Sequence, residues 1–374
     1  MFNNNNGTYG YNNGAQSFFT VEEGYLVNES PAQNSPVADN SRNIKRLFSR
    51  VFLSVFFFIL ASYVILYAIE FASIIILGYD RYEELLQNSN LAIFKSAVCQ
   101  YIFGFGVLLL FIRKIPKCSR ASSKASLSFK DLACYFFICQ FLAYLGSFIG
   151  NGLNQLIGAV TGDMPTNTLD ELLNGAKLWV VIAVAIVIGP IFEELIFRKL
   201  MIDRLGAVGE RCAVIFTSVA FGIFHQNFYQ FFYALFIGLV LGFIYSKTHN
   251  IFYSIGIHIA FNFFGSALPL LLNDTFTEYD KMSEVILAGG EVDMTLYAKV
   301  SLIVMIYSAF VLGSALLGLI FLIQKYKRGE LRLSSEAELY APKSVLLRSS
   351  ILNLGTVLFF ATSVILTLLT LFLG

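Results

Sequence analysis

The sequence predicts an all-α, polytopic membrane bundle of about eight to nine spans around a polar cavity. Three observations carry that prediction. Hydrophobic types make up 56% of the 374 residues and charged types only 14%, where a soluble domain carries ~25% charged residues. Mean hydropathy is +0.68, and so much apolar surface cannot be hidden in one water-soluble core of this length. Apolar runs long enough to cross the hydrocarbon core, about 20 residues each, recur along the chain with short polar stretches between them. An ordinary soluble enzyme, a disordered chain and a coiled coil are thereby excluded. Backbone groups in lipid need internal partners, so these runs are helices.

Residues 1–45 read as a disordered, Asn-rich cytoplasmic tail. The first 40 residues hold no Lys or Arg and are rich in Asn, Gly and Ser, as in Asn3-Asn4-Asn5-Asn6-Gly7. Such a stretch buries too little apolar surface to offset its ordering entropy. It lacks the basic start and short apolar core of a cleavable signal peptide, so the first apolar run stays in the membrane. The transmembrane domain then occupies 46–374, with helices expected near 50–77, 95–112, 131–150, 178–200, 211–225, 228–246, 250–270, 298–323 and 349–373.

The loops assign sides. Basic residues gather before the first span (Arg42, Lys45, Arg46, Arg50), between the second and third (Arg113 to Lys130), after the fourth (Lys199, Arg204, Arg211), after the sixth (Lys247) and after the eighth (Lys325, Lys327, Arg328, Arg332). These are alternate loops, and the positive-inside rule makes them cytoplasmic. The expected location is the cell membrane with the N-terminus inside. The opposite loops are acidic, with Asp274, Glu278, Asp280, Glu284, Glu291 and Asp293 in one stretch.

Several features read as structural. The 26 Lys+Arg and 25 Asp+Glu give a net charge of +1, which predicts no nucleic-acid partner. The five cysteines form no CxxC pair and read as small apolar fillers. Glu70 reads as an interfacial acid, because its run exceeds a bilayer crossing. His249 reads as a surface residue and 151–177 as a plain connector, the alternative being a short interfacial helix at Leu169-Asp170-Glu171-Leu172-Leu173. The basic stretch 324–348 reads as a linker at the level of the lipid headgroups.

Ionisable groups inside spans are costly and face an interior or a cavity. Most of them fall within residues 190–265. In Glu193-Glu194-x-x-x-Arg198, Glu194 and Arg198 are i,i+4 neighbours that can pair. Glu193 points about 100° away and cannot share that partner equally. Phe221-x-x-x-His225 and His258-x-x-x-Asn262 follow, and the whole chain has 3 His. His258 and Asn262 project from one helical face.

A carboxylate with a histidine can polarise water and take its proton. A second histidine and an asparagine can hydrogen-bond an oxyanion, each such donor being worth ~3–4 kcal/mol in a dry site. This is equipment for hydrolysing an amide without a serine or cysteine nucleophile. Two imidazoles and a carboxylate (Glu193, His225, His258) also suit Zn²⁺, and the residues alone leave the bare and the metal-bound water both open.

The ordered trio of motifs resembles the signature of the CPBP group, the CAAX-protease and bacteriocin-processing (Abi) family of intramembrane endopeptidases. The resemblance covers 175–270 as the protease core. It implies a helical membrane fold with a conical cavity open to the cytosol. It implies that Glu193 and His225 activate water, that His258 and Asn262 hold the oxyanion, and that Glu194 and Arg198 support the helix end. The implied substrate is a peptide or membrane-protein tail presented at the lipid surface. Two other classes fit parts of the pattern: a non-proteolytic immunity or scaffold protein binding a peptide in the same cavity, and a proton-coupled transporter. One geometric demand follows. For Glu193 to meet His225, the 211–225 segment must be short, tilted or ended within the membrane.

Overall fold

The computed structural model describes residues 36–118 and 125–373. Within them there are helices and no strand. The tail expected at 1–45 lies outside the described residues as far as 35. From Pro36 the chain is already helical, earlier than the expected boundary. The local reason is helix-start chemistry: Pro needs no hydrogen-bond partner in the first turn, and Asp39 there meets the positive end of the helix dipole.

The elements in order are α1 (Pro36–Leu77), α2 (Tyr79–Leu86), α3 (Ser89–Ile112) and α4 (Phe129–Thr161). There follow α5 (Thr168–Asn174), α6 (Leu178–Val208) and α7 (Glu210–Phe224). Then come α8 (Phe228–Thr248), α9 (Ile251–Leu271), α10 (Asn273–Leu287), α11 (Met294–Lys327), α12 (Lys343–Ile351) and α13 (Leu354–Leu373). Among the described residues 8 helices are long and apolar enough to cross a membrane. The expected span at 211–225 is the one that falls short. Helix α7 has 15 residues and measures ~22 Å at 1.5 Å per residue, less than the ~30 Å apolar core. It turns back at His225–Asn227 into α8 as a hairpin.

The core is built on a stripe of α1. Ile44, Phe48, Val51, Phe52, Val55, Phe58 and Ile59 are buried, at the i,i+3,i+4,i+7 spacing of one helical face. Phe52 meets Phe359 of α13 at a ring separation of 5.4 Å. Helix α11 is the opposite case: Leu302, Met305, Ile306, Leu312 and Leu316 stand exposed along it, the composition of a lipid-facing surface.

Two glycines set the position of α8. An added Cβ at Gly146 would lie 2.5 Å from the Tyr233 backbone, and one at Gly150 would lie 2.4 Å from the Phe228 carbonyl oxygen. Gly146 and Gly150 are spaced as in the small-xxx-small contacts of membrane helices, and they let α4 carry the hairpin close to the bundle axis.

The basic segments meet at one end of the bundle. Arg50 Nη2 donates to the Lys114 carbonyl at 2.8 Å, and Arg204 Nε to those of Ile112 and Ile115. Glu210 Oε2 accepts from Lys247 Nζ at 3.0 Å and from the Ser334 amide at 2.8 Å. Helices α2, α5 and α10 join spans at the other end. Glu70 is there, paired with Lys95 Nζ at 2.8 Å. The segment 151–177 is more than a connector: α4 runs on to Thr161, and α5 packs back against the bundle.

Candidate active site

Glu193, His225, His258 and Asn262 line one cavity of about 420 Å³. They come from α6, the α7–α8 turn and α9, so the topology joins three motifs that are separated in the chain. Glu194 and Arg198 stand behind its wall, at 0% and 1% exposure.

The backbone around the cavity departs from regular α-helix. Turns of π-helix occupy Val98–Gly104, Ile182–Ile188, Leu195–Ile202 and Phe263–Ala267. Two of them bracket Gly189–Glu194, and another begins directly after Asn262. Single π turns are rare inside helices and collect at functional sites.

The adjacent carboxylates divide as their helical angle requires. Glu194 Oε2 lies 3.1 Å from Arg198 Nε, and Glu194 Oε1 lies 3.0 Å from His258 Nδ1. Glu193 faces the cavity with 17% of its side chain exposed, and its Oε2 lies 3.6 Å from His258 Nε2. His258 thus bridges the two acids. The buried Arg198 and Glu194 charges offset each other. Buried charge is tolerable only in such a compensated set.

His225 is fixed from its own helix. Its Nδ1 is 2.8 Å from the Phe221 carbonyl oxygen. A carbonyl only accepts, so Nδ1 carries the hydrogen and the neutral ring keeps its lone pair on Nε2. The Phe221 ring organises the rest. It lies edge-on to His225 at 4.9 Å and to His258 at 5.8 Å, and the Arg198 guanidinium sits 4.5 Å from its centroid. The Phe of Phe221-x-x-x-His225 is therefore the partner of three polar side chains. Asn262 Nδ2 donates to the Ala185 carbonyl at 3.1 Å, which leaves its second N–H uncommitted.

The sequence reading missed the residues that complete the wall. Tyr101 stacks on Phe192 at 4.7 Å, and Gly189 makes room for it: an added Cβ there would lie 3.2 Å from its hydroxyl and 4.0 Å from Glu193 Oε1. Gln226 holds a left-handed backbone at φ 57, its side chain accepting from the Tyr63 hydroxyl and its carbonyl from Thr370 Oγ1 at 2.7 Å. Asn227 donates to the His225 carbonyl and caps α8 through the Gln230 amide. The signal available in the sequence was Gln226-Asn227, two polar residues interrupting an apolar run beside a histidine. Their long-range partners carry no mark in sequence.

The zinc alternative is tested by the same geometry. Among the described residues no group of three His, Cys, Asp or Glu side chains has metal-ligand spacing. The set expected to hold the ion, Glu193, His225 and His258, is not brought together at that spacing.

Residues 175–264 match the family model for type II CAAX prenyl endopeptidase Rce1-like proteins. The chain carries a CPBP-family protease core. The resemblance seen in the three motifs is thus borne out, and the chain is a hydrolase of the CAAX-protease type in a multi-pass helical membrane bundle. A curated protein of Bacillus subtilis (strain 168), named "Putative membrane peptidase YdiL", is 25% identical over 247 residues, which span 63% of this chain and 97% of that protein. No solved structure matches. This CPBP-type core includes α6 to α9, the segment that supplies Glu193, His225, His258 and Asn262 to the cavity.

Proposed function

We propose that the protein is an intramembrane endopeptidase in which Glu193 is the general base and His225 its partner. The observation that carries this reading is the pair of acceptors facing one cavity: the Glu193 carboxylate, and His225 Nε2 left free by the Nδ1 bond to Phe221. A water between them gives one O–H to each, and its oxygen lone pair then points at a bound carbonyl carbon. Glu193 takes a proton as the carbon–oxygen bond forms. The negative oxygen of the tetrahedral intermediate receives the His258 Nε2–H and the second N–H of Asn262. Glu193 returns its proton to the leaving nitrogen as the carbon–nitrogen bond breaks. The products are a carboxylate and an amine, and no covalent enzyme intermediate is needed. Glu194 and Arg198 act through His258: Glu194 accepts from its Nδ1–H and fixes its ring, and Arg198 holds Glu194 in place.

The substrate is a peptide or the tail of a membrane protein, reached at lipid depth. The test is cleavage of an internally quenched peptide library by purified wild type and by Glu193→Gln, each with and without chelator. This reading expects Glu193→Gln to lose about 10²–10⁴-fold in turnover and chelator to change nothing. Wild-type activity lost to chelator and restored by Zn²⁺ would sink the bare-water mechanism. A transporter or binding protein would show no cleavage at all.

A further inference from the structure

The cavity runs from the middle of the bundle toward the end away from the basic loops. Five spans line it from about their midpoints toward that end: Phe58 to Leu66 of α1, Ile93 to Tyr101 of α3, Val184 to Glu193 of α6, Gln230 to Ile237 of α8 and His258 to Ser266 of α9. The cavity ends beneath α5. Leu169, Leu172 and Leu173 line it at the i,i+3,i+4 spacing of one helical face, while Asp170 and Glu171 of the same helix are exposed. The strap bearing α5 is tied at both ends by backbone groups. The Tyr229 hydroxyl donates to the Pro165 carbonyl at 2.7 Å, and the Lys177 amide donates to Asn90 Oδ1 at 2.8 Å.

The two expectations about sides now exclude each other. Basic loops in the cytosol and a cavity open to the cytosol cannot both hold, because the cavity extends from mid-bundle away from the basic end and reaches α5. The charge bias of this chain decides between them. Of 26 Lys and Arg, Arg198 is within a span and only Arg81, Lys95, Lys177, Lys281 and Lys299 belong to the α2–α5–α10 end. That end carries 13 carboxylates between Glu70 and Asp293, leaving out Asp131, Glu193, Glu194, Asp203 and Glu210. Retention of basic loops is the dominant orientation signal in helical membrane proteins.

We infer that the cavity is filled from the extracytoplasmic face, past α5, by a peptide segment whose apolar residue seats against Leu66, Ile93, Leu169 and Leu172 and whose flanks are basic. The inference rests on the protease reading above and adds the side of approach and the substrate chemistry. The apolar lining takes the side chain next to the scissile bond. The acidic face draws in cationic flanks and repels acidic ones.

The test uses the full chain in liposomes, with Thr277→Cys on α10 and Lys327→Cys at the end of α11 as separate reporters in a background where Cys118, Cys134 and Cys212 are serine. Impermeant maleimide measures which end faces outward. Quenched peptides with a leucine-rich centre and either Lys or Glu flanks are then added outside. The cleavage rate should follow the fraction of molecules with Thr277→Cys outward. Lys-flanked peptides should be cleaved about tenfold faster than Glu-flanked ones at low salt, the gap closing as salt screens the face. In intact cells, maleimide should reach Thr277→Cys and not Lys327→Cys. Cleavage that follows the outward fraction of Lys327→Cys, labelling of the reverse pattern, or equal rates for both flanks would each overturn the inference while leaving the protease reading standing. No cleavage in liposomes or detergent overturns both.

Discussion

The Glu194–Arg198 pair gives the sharpest prediction. Both side chains are buried, with Arg198 Nε 3.1 Å from Glu194 Oε2. The three guanidinium nitrogens make no hydrogen bond, so the guanidinium is held by this one carboxylate and the Phe221 face. At an effective dielectric of about 20 the attraction is ~5 kcal/mol, while desolvation of the two ions offsets much of it. The pair as a whole therefore contributes little net stability, yet breaking it strands a charge. Arg198→Met should cost about 3–5 kcal/mol by leaving Glu194 buried and uncompensated. With ~2.1 cal/mol/K of unfolding entropy per residue, that lowers Tm by about 4–6 °C in a chain of this length. The double variant Glu194→Leu/Arg198→Met removes both charges and should recover most of the loss. Its activity should not recover, because His258 Nδ1 has lost its acceptor. The assay is thermal unfolding of purified wild type, both single variants and the double variant in one detergent, beside peptide cleavage. A double variant no more stable than Arg198→Met would refute the reasoning, and so would one that cleaves like wild type.

Four further outcomes follow from the packing. Phe221→Leu keeps the carbonyl that orders His225 but removes the ring between both histidines and Arg198; turnover should fall at least tenfold, measured on a fluorogenic peptide. Tyr63→Phe frees the Gln226 side chain at a left-handed position that costs a non-glycine residue ~1–2 kcal/mol; kcat should drop severalfold with KM nearly unchanged. Gly146→Leu drives a side chain into the Tyr233 backbone and should displace α8, seen as lost cleavage together with a lowered Tm. Glu330 is hydrogen-bonded by Lys325 at 2.8 Å, and that bond holds its carboxyl below the ordinary carboxylate range. A depressed carboxyl stabilises the fold above its unfolded value and loses that effect as the pH falls through its folded value. Acidification below about 4.5 should therefore lower Tm more in wild type than in Glu330→Gln.

The bundle was legible because lipid imposes a simple code. Twenty apolar residues must be a helix, and basic loops mark one end. The exception, α7, is instructive: its residues are as apolar as a span, and only counting its length shows that it cannot cross. The polar residues of the site were legible for the same reason, since Glu193, His225, His258 and Asn262 interrupt apolar runs at a cost that structure alone seldom justifies. Their arrangement around the cavity was half legible. Helical angle separates Glu193 from Glu194, but only coordinates show His258 between the two acids. Tyr63, Tyr101, Gln226 and Thr370 were not legible, because aromatic and hydroxyl residues are ordinary in membrane helices and their partners lie up to 163 positions away. The cavity's end under α5 was hidden too. Leu169, Leu172 and Leu173 allow a short interfacial helix within a polar connector, and only the fold shows that helix lying over the cavity.

The division between the two neighbouring glutamates is tested most directly by measuring kcat and Tm for Glu193→Gln and Glu194→Gln side by side. A crossed pattern is expected: Glu193→Gln loses at least about 10²-fold in kcat at wild-type Tm, and Glu194→Gln loses several degrees of Tm as Arg198 is left unpaired. Near-wild-type turnover by Glu193→Gln would contradict the mechanism at its root.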